Sequence, residues 1–136
     1  MISQVVDRYE VLREVGRGGM GLVYEVKDQR GYQRTYALKV MNPNVAARED
    51  LVSRFLDEAK LLGELNDPNI VFAYDFWNTD DHTYLLMEFV QGGTLKELIQ
   101  EKEGLAWQEA LPIFEQVVSA LSAAHEKNII HRDIKP

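Results

Sequence analysis

The sequence predicts an α+β fold: a five-stranded antiparallel sheet with one helix, followed by the start of a helical region. Three observations predict it. Short alternating apolar runs split by glycines fill Tyr9 to Met41, the spacing becomes helical from Arg48 to Leu65, and after two more strand-like runs it is helical again from Thr94 onward.

The first three strands read as Tyr9 to Gly16, Gly21 to Asp28 and Gln33 to Met41, with Gln29-Arg30-Gly31-Tyr32 as the second turn. Asn42-Pro43-Asn44 breaks the pattern. In the helix that follows, Leu51, Phe55, Leu62 and Leu65 lie within about 40° of one direction at about 100° per residue, and Asp67-Pro68-Asn69 ends it. Ile70 to Trp77 and His82 to Val90 complete the sheet across the polar turn at Asn78 to Asp81. Gln91-Gly92-Gly93 is a linker, and Thr94 with Glu97 forms a capping box for a helix to about Gln100. A long helix from Ala106 to Glu126 places Ala110, Phe114, Val117, Val118, Leu121 and His125 in one stripe, which makes His125 a core histidine rather than a metal ligand. Ile129-Ile130 reads as a short apolar strand leading into His131-Arg132-Asp133-Ile134-Lys135-Pro136.

Composition limits the function. A chain of 136 residues, 46% hydrophobic and 27% charged, suits one soluble domain. A net charge of -7 with 15 scattered Lys and Arg argues against a nucleic-acid surface. With no cysteine there can be no disulfide, thiolate metal site or cysteine nucleophile, which fits a reducing, cytoplasmic setting. No apolar run approaches the roughly 18 residues of a membrane span, and the first eight residues lack the pattern of a signal peptide.

Three features carry chemistry. Gly16-Arg17-Gly18-Gly19-Met20-Gly21 fits G-x-G-x-x-G, and Leu22-Val23-Tyr24-Glu25-Val26 after it is a strand, not the helix of a dinucleotide fold. Such a loop either folds over phosphates with its backbone N–H groups or is a mobile hairpin tip. Second, alternation puts Ala37, Lys39 and Met41 on one strand face. Lys39 there either snorkels or stands beneath the loop as a phosphate-holding cation. Glu58 points into the leucine stripe of the helix and needs a cation: Lys39 is the nearest the topology offers, and Arg54 is the alternative as an i,i+4 neighbour. Third, Asp133 and Lys135 form either a charged turn or a base-like carboxylate with a cation able to neutralise a phosphoryl group.

The loop, Val23, Ala37-x-Lys39, Glu58 and His131-Arg132-Asp133 occur in the order and type of element described for kinases. From about Arg8 to Pro136 the chain resembles a protein kinase, and Lys135-Pro136 and Gly18-Gly19-Met20-Gly21 are similar to the serine/threonine branch and to eukaryotic-like bacterial kinases. The resemblance implies a protein-kinase-like fold: an incomplete domain over 9–136, an N-lobe at 9–90, a hinge at 87–93, the first part of a C-lobe at 94–136, and an N-terminal extension at 1–8.

It further implies ATP as cofactor, magnesium, and a protein substrate phosphorylated on serine or threonine. Gly16, Gly18 and Gly21 would cover the phosphates, Val15, Val23 and Ala37 would enclose adenine, and Lys39 held by Glu58 would contact the α and β phosphates. Met87 would be the gatekeeper, with the backbones of Glu88 and Val90 bonding adenine. Thr94 would touch the ribose or serve only as a cap. Asp133 would orient the substrate hydroxyl, Lys135 would contact the γ-phosphate, Arg132 would pair with a phosphorylated activation loop, and His131 would be structural. The family's asparagine and Asp-Phe-Gly metal ligands have no counterpart in these residues, so no metal ligand is expected here and residues 1–136 alone are expected to be inactive. They are also expected to aggregate or to be loose in their last third, and a membrane anchor could lie further along a longer protein. The alternative is a pseudokinase or ATP-binding regulatory module.

Overall fold

Alternation in Thr35–Met41 gives one strand two unlike faces, and the fold is organised around that difference. The computed structural model describes residues 5–19, 21–41 and 48–136, apart from the side chains of Leu51 and Glu58. It divides into two compact units, residues 1–64 with 71–90 and residues 65–70 with 91–136.

In the first unit, β1 (Val5–Val6), β2 (Tyr9–Gly18), β3 (Gly21–Asp28), β4 (Thr35–Met41), β5 (Ala73–Asn78) and β6 (Thr83–Glu88) form an antiparallel sheet in the order β1-β2-β3-β4-β6-β5, and α1 (Glu49–Glu64) lies between β4 and β5 in the chain. On one face Tyr9, Val11, Val26, Leu38, Tyr84 and Leu86 form a buried cluster. On the other, Met41, Leu85 and Ala73 meet Phe55 and Ala59 of α1, with Val52, Leu62 and Met87 packed around them. Fully burying each of Phe55, Leu38, Met41, Leu85 and Val26 contributes about 1.5–3 kcal/mol.

The first face is finished by stacked rings, Tyr9 on Trp77 at 6.0 Å and Trp77 on Tyr84 at 5.2 Å between centroids. The β3–β4 turn is tied by buried Asp28, whose carboxylate accepts the N–H groups of Arg30 (2.9 Å) and Gly31 (3.3 Å) and pairs with Arg8 at 3.2 Å. A buried carboxylate is tolerated because its oxygens are used in this way.

In the second unit, α2 (Leu95–Glu101) opens with the expected capping box: the Glu97 N–H donates to Thr94 Oγ1 (3.2 Å) and the Thr94 N–H to Glu97 Oε2 (2.7 Å). Each bond satisfies an N–H that the first helical turn leaves without a partner. α3 (Trp107–Glu126) follows, and Lys102 pairs with Glu109 across the connection. That hydrogen bond holds the Glu109 carboxyl below the usual range, so the small contribution of this exposed pair is present above the ordinary carboxylate pKa and lost as pH falls through the depressed one.

The elements depart from expectation in five places. The sheet has one strand more than expected, because Val5–Val6 within the segment read as an extension pairs with Glu10 and Tyr9. The third expected strand starts at Thr35, since Gln33 has φ +53 and cannot join a ladder. The fourth starts at Ala73, because Asp67 caps a turn through the N–H groups of Asn69 and Ile70. Ile129-Ile130 is not a strand: among the described residues no strand pairs with it, and the Ile129 N–H donates to the Ala124 carbonyl at 3.0 Å. The covered side of α3 runs through Ala110, Ile113, Val117, Ala120 and Ala124, while Phe114, Val118 and His125 are exposed. His125 is therefore not a core residue, and the stripe is rotated toward Ile113 because small alanines, not the bulkiest side chains, define the closely packed side.

Candidate active site

Sheet register decides which expected residues share a surface. Gly16 stands opposite Val23, Val23 opposite Lys39, and Lys39 opposite Leu85. The next row reads Arg13, Glu25, Ala37, Met87 and Ala73. Directly opposed residues point to the same side of an antiparallel sheet. Thus Val23, Ala37, Lys39 and Met87 occupy one face, the one on which α1 packs. Lys39 is half-buried there with Nζ 5.3 Å from the centroid of the Phe55 ring, a cation over an aromatic face. The expected Lys39–Glu58 pair falls on a side chain outside the described residues.

Val15 lies in a bulge of β2, where the register shifts between Glu14 and Gly16, and is 38% exposed. The bulge has a further effect. In a regular strand, residues three apart face opposite ways; here Glu14 opposes Tyr24 and Arg17 opposes Leu22, both on the face away from Lys39. Arg17 Nε and Nη2 therefore reach Glu14 Oε1 and Oε2, each at 3.1 Å, in a two-pronged pair that raises the Arg17 pKa.

The glycines of the motif are not equivalent. Among the described residues, a Cβ on Gly21 would stand 2.1 Å from the carbonyl oxygen of Val40, whereas one on Gly16 would meet only Val23 at 3.8 Å and one on Gly18 or Gly19 nothing within 4 Å. Gly21 is required by the fold, and the space above Gly18 is open. Gly21→Ala is expected to cost about 1–3 kcal/mol and Gly18→Ala less than about 0.5 kcal/mol, to be compared by urea denaturation midpoints.

At the other end of the face, Met87 is half-buried and Val90 is 60% exposed. Glu88 donates its N–H to the carbonyl oxygen of Phe72 at 2.8 Å, and the Phe72 N–H donates to Glu88 Oε2 at 3.3 Å. In the second unit, Lys135 Nζ lies 3.1 Å from Asp133 Oδ2, with both side chains 73% exposed, and the Asp133 N–H donates to His131 Nδ1 at 3.1 Å. Arg132 adopts φ +68, turning the chain sharply between them. The hydroxyl of Thr94 is taken up by its cap.

Sequence reasoning missed two contributors to this surface, Phe55 beneath the lysine and the Glu25 carboxylate held by Arg13 at 2.6 Å, and also the contact of the Glu88 side chain, which lies on the opposite face with Tyr36. The alternation of β3 placed Glu25 beside Val23 and could have revealed it. The other two depend on contacts between separate elements. Among the described residues no three His, Asp or Glu side chains gather as a metal-binding group, so the residues present do not fit magnesium by themselves. They fit a nucleotide better, with apolar Val23, Ala37 and Met87 beside a cation and an open glycine turn. Also among the described residues, no helix is long and apolar enough to cross a membrane.

The chain matches the family described as protein kinase domain over residues 9–136. It is 43% identical to the serine/threonine-protein kinase PrkC of Bacillus subtilis over 98% of this chain and 20% of that protein. It is 42% identical to the probable serine/threonine-protein kinase PknB of Lactococcus lactis over 96% of this chain and 21% of that one. The chain thus spans about a fifth of the length of these relatives. In structure it is similar to the kinase domain of Mycobacterium tuberculosis PknI, with a TM-score of 0.84 and 30% identity, across 100% of this chain and 56% of that one. An α+β fold of this topology, matched by a family over nearly its whole length, makes the chain a member of the protein kinase domain family.

Proposed function

We propose that the chain supplies the nucleotide-binding lobe, hinge and catalytic loop of a kinase that transfers the γ-phosphoryl group of ATP to serine or threonine hydroxyls of proteins. The observation that carries this reading is the row Gly16, Val23, Lys39 on one face beside an open glycine turn. In this reading residues 9–90 are the N-lobe, 87–93 the hinge and 94–136 the start of the C-lobe, with 1–8 preceding the domain. The setting is cytoplasmic.

The backbone N–H groups around Gly16, Gly18 and Gly21 face the phosphates, and Val15, Val23 and Ala37 lie against adenine. Met87 closes the back of the pocket, the Glu88 carbonyl accepts from the adenine amino group, and the Val90 N–H donates to the ring. Lys39, held by Glu58, neutralises the α and β phosphates. Asp133 accepts a hydrogen bond from the substrate hydroxyl and takes its proton as the oxygen bonds to the γ-phosphorus. The bond from that phosphorus to the bridging oxygen breaks, ADP departs, and Lys135 offsets the charge on the group in transfer. Bound magnesium would add charge neutralisation, and none of its ligands is assigned to this chain.

The test is phosphorylation of a basic protein substrate by the full-length protein with MgATP, followed by phosphoamino-acid analysis. Phosphoserine and phosphothreonine are expected. Labelling of tyrosine alone, or none, contradicts the reading. Residues 1–136 alone, in the same assay, are expected to transfer no phosphate above background, because the family's Asn and Asp-Phe-Gly have no counterpart among them. Magnesium-dependent turnover by that polypeptide would contradict the expectation.

A further inference from the structure

In a regular antiparallel ladder a hydrogen-bonded pair exchanges two bonds, each residue giving its N–H to the other's carbonyl. Phe72 and Glu88 depart from this. The Glu88 N–H donates to the Phe72 carbonyl at 2.8 Å, but the Phe72 N–H donates to the carboxylate of Glu88 at 3.3 Å. The side chain has taken the position that the Glu88 carbonyl would fill. The N–H and C=O of a strand residue point to the same edge, so the Glu88 carbonyl faces the side on which Phe72 lies, and the N–H it would meet there is given to the carboxylate instead.

Local structure keeps Phe72 in place. Its ring meets Tyr74 edge-on at 4.9 Å, Tyr74 meets Tyr36 of β4 at 5.2 Å, and Ala73 pairs with Met87 just before the register shifts in β5. Glu88 is the last residue of β6, paired with Tyr36 of β4 on its other edge, so the contact with Phe72 sets its peptide on the β5 side where the strand ends.

We propose that the Glu88 side chain is a positioning residue for adenine recognition: by occupying the Phe72 N–H, its carboxylate leaves the Glu88 backbone carbonyl unpaired and aimed as the acceptor for the exocyclic amino group. This rests on the assignment of Glu88 to the hinge in the proposed function. The carboxylate itself touches no part of the nucleotide. Without it, the Phe72 N–H is unpartnered and turns to the Glu88 carbonyl, competing with adenine. Glutamine keeps an oxygen of the same reach and restores the arrangement.

The experiment compares wild type, Glu88→Ala and Glu88→Gln in the full-length protein. It measures binding of ATP and of inosine triphosphate, which carries an oxo group where adenine has its amino group, by titration calorimetry. In Glu88→Ala, ATP is expected to bind about three- to tenfold more weakly, the scale of one hydrogen bond. Inosine triphosphate binding is expected to stay unchanged and Glu88→Gln to restore ATP binding to within about twofold. Equal weakening of both nucleotides, or ATP binding by Glu88→Ala at the wild-type level, overturns the proposal while the kinase reading stands. Failure of the wild type to bind ATP at all overturns both.

Discussion

Replacing Lys39 with methionine in the full-length protein will lower phosphoryl transfer about 10²–10³-fold while leaving the fold in place. Lys39 is half-buried on β4 opposite Val23 and Leu85, with its ammonium group 5.3 Å from the centre of the Phe55 ring, a contact worth about 0.5–1 kcal/mol. Methionine reproduces the length and packing of the stem and removes the charge. A residue serving only the sheet would shift the urea midpoint and spare catalysis. A residue facing phosphates does the reverse. The assay is steady-state phosphorylation beside equilibrium unfolding, and a variant retaining more than about a tenth of wild-type kcat/KM would remove Lys39 from the catalytic set.

Phe55→Ala should have the largest effect on stability, about 3–5 kcal/mol. Phe55 is 0% exposed and, among the described residues, is the largest side chain so buried. It clusters with Met41, Leu85, Ala59 and Ala73 where α1 meets the sheet, and removing its ring leaves a cavity that rigid strands on one side cannot collapse to fill. A domain stable by about 5–15 kcal/mol would lose much of its margin. The same ring lies under the ammonium of Lys39, so catalysis should fall as well. Phe55→Leu should recover most of the stability and less of the activity. Chemical denaturation at constant slope measures the first effect. A loss below about 1 kcal/mol would mean that α1 is not anchored through this residue.

What could be read in the sequence follows from periodicity. β2 to β6 and the three helices among the described residues repeat often enough to be recognised, whereas Val5–Val6 has too few residues to show a period and exists only because β2 offers it an edge. The alternation Ala37, Lys39, Met41 was legible as a face, but the ring beneath Lys39 was not, since Phe55 is sixteen positions along the chain and on another element. The pairing of Arg13 with Glu25 was hidden for a different reason. Register shifts on either side of Arg13 and Glu14 move side chains of β2 from the faces that simple alternation assigns, and a bulge leaves no mark in the pattern of apolar residues. In α3 the bulky Phe114 and Val118 drew the stripe away from the alanines that are covered. The capping box at Thr94 was legible because it is local, a bond between residues three apart. Asp133 and Lys135 were conspicuous as chemistry although no periodic element holds them, and their ion pair at 3.1 Å is the only side-chain geometry the two share.

The central claim is that one face of the sheet holds ATP for transfer to a hydroxyl. The most direct measurement is the phosphoamino-acid content of a protein substrate after incubation with MgATP and either the wild-type full-length protein or its Asp133→Asn variant. The account predicts phosphoserine and phosphothreonine with the wild type and a loss of about 10²–10⁴-fold with the variant, at unchanged ATP affinity. Equal labelling by both proteins, or none by the wild type, would contradict it.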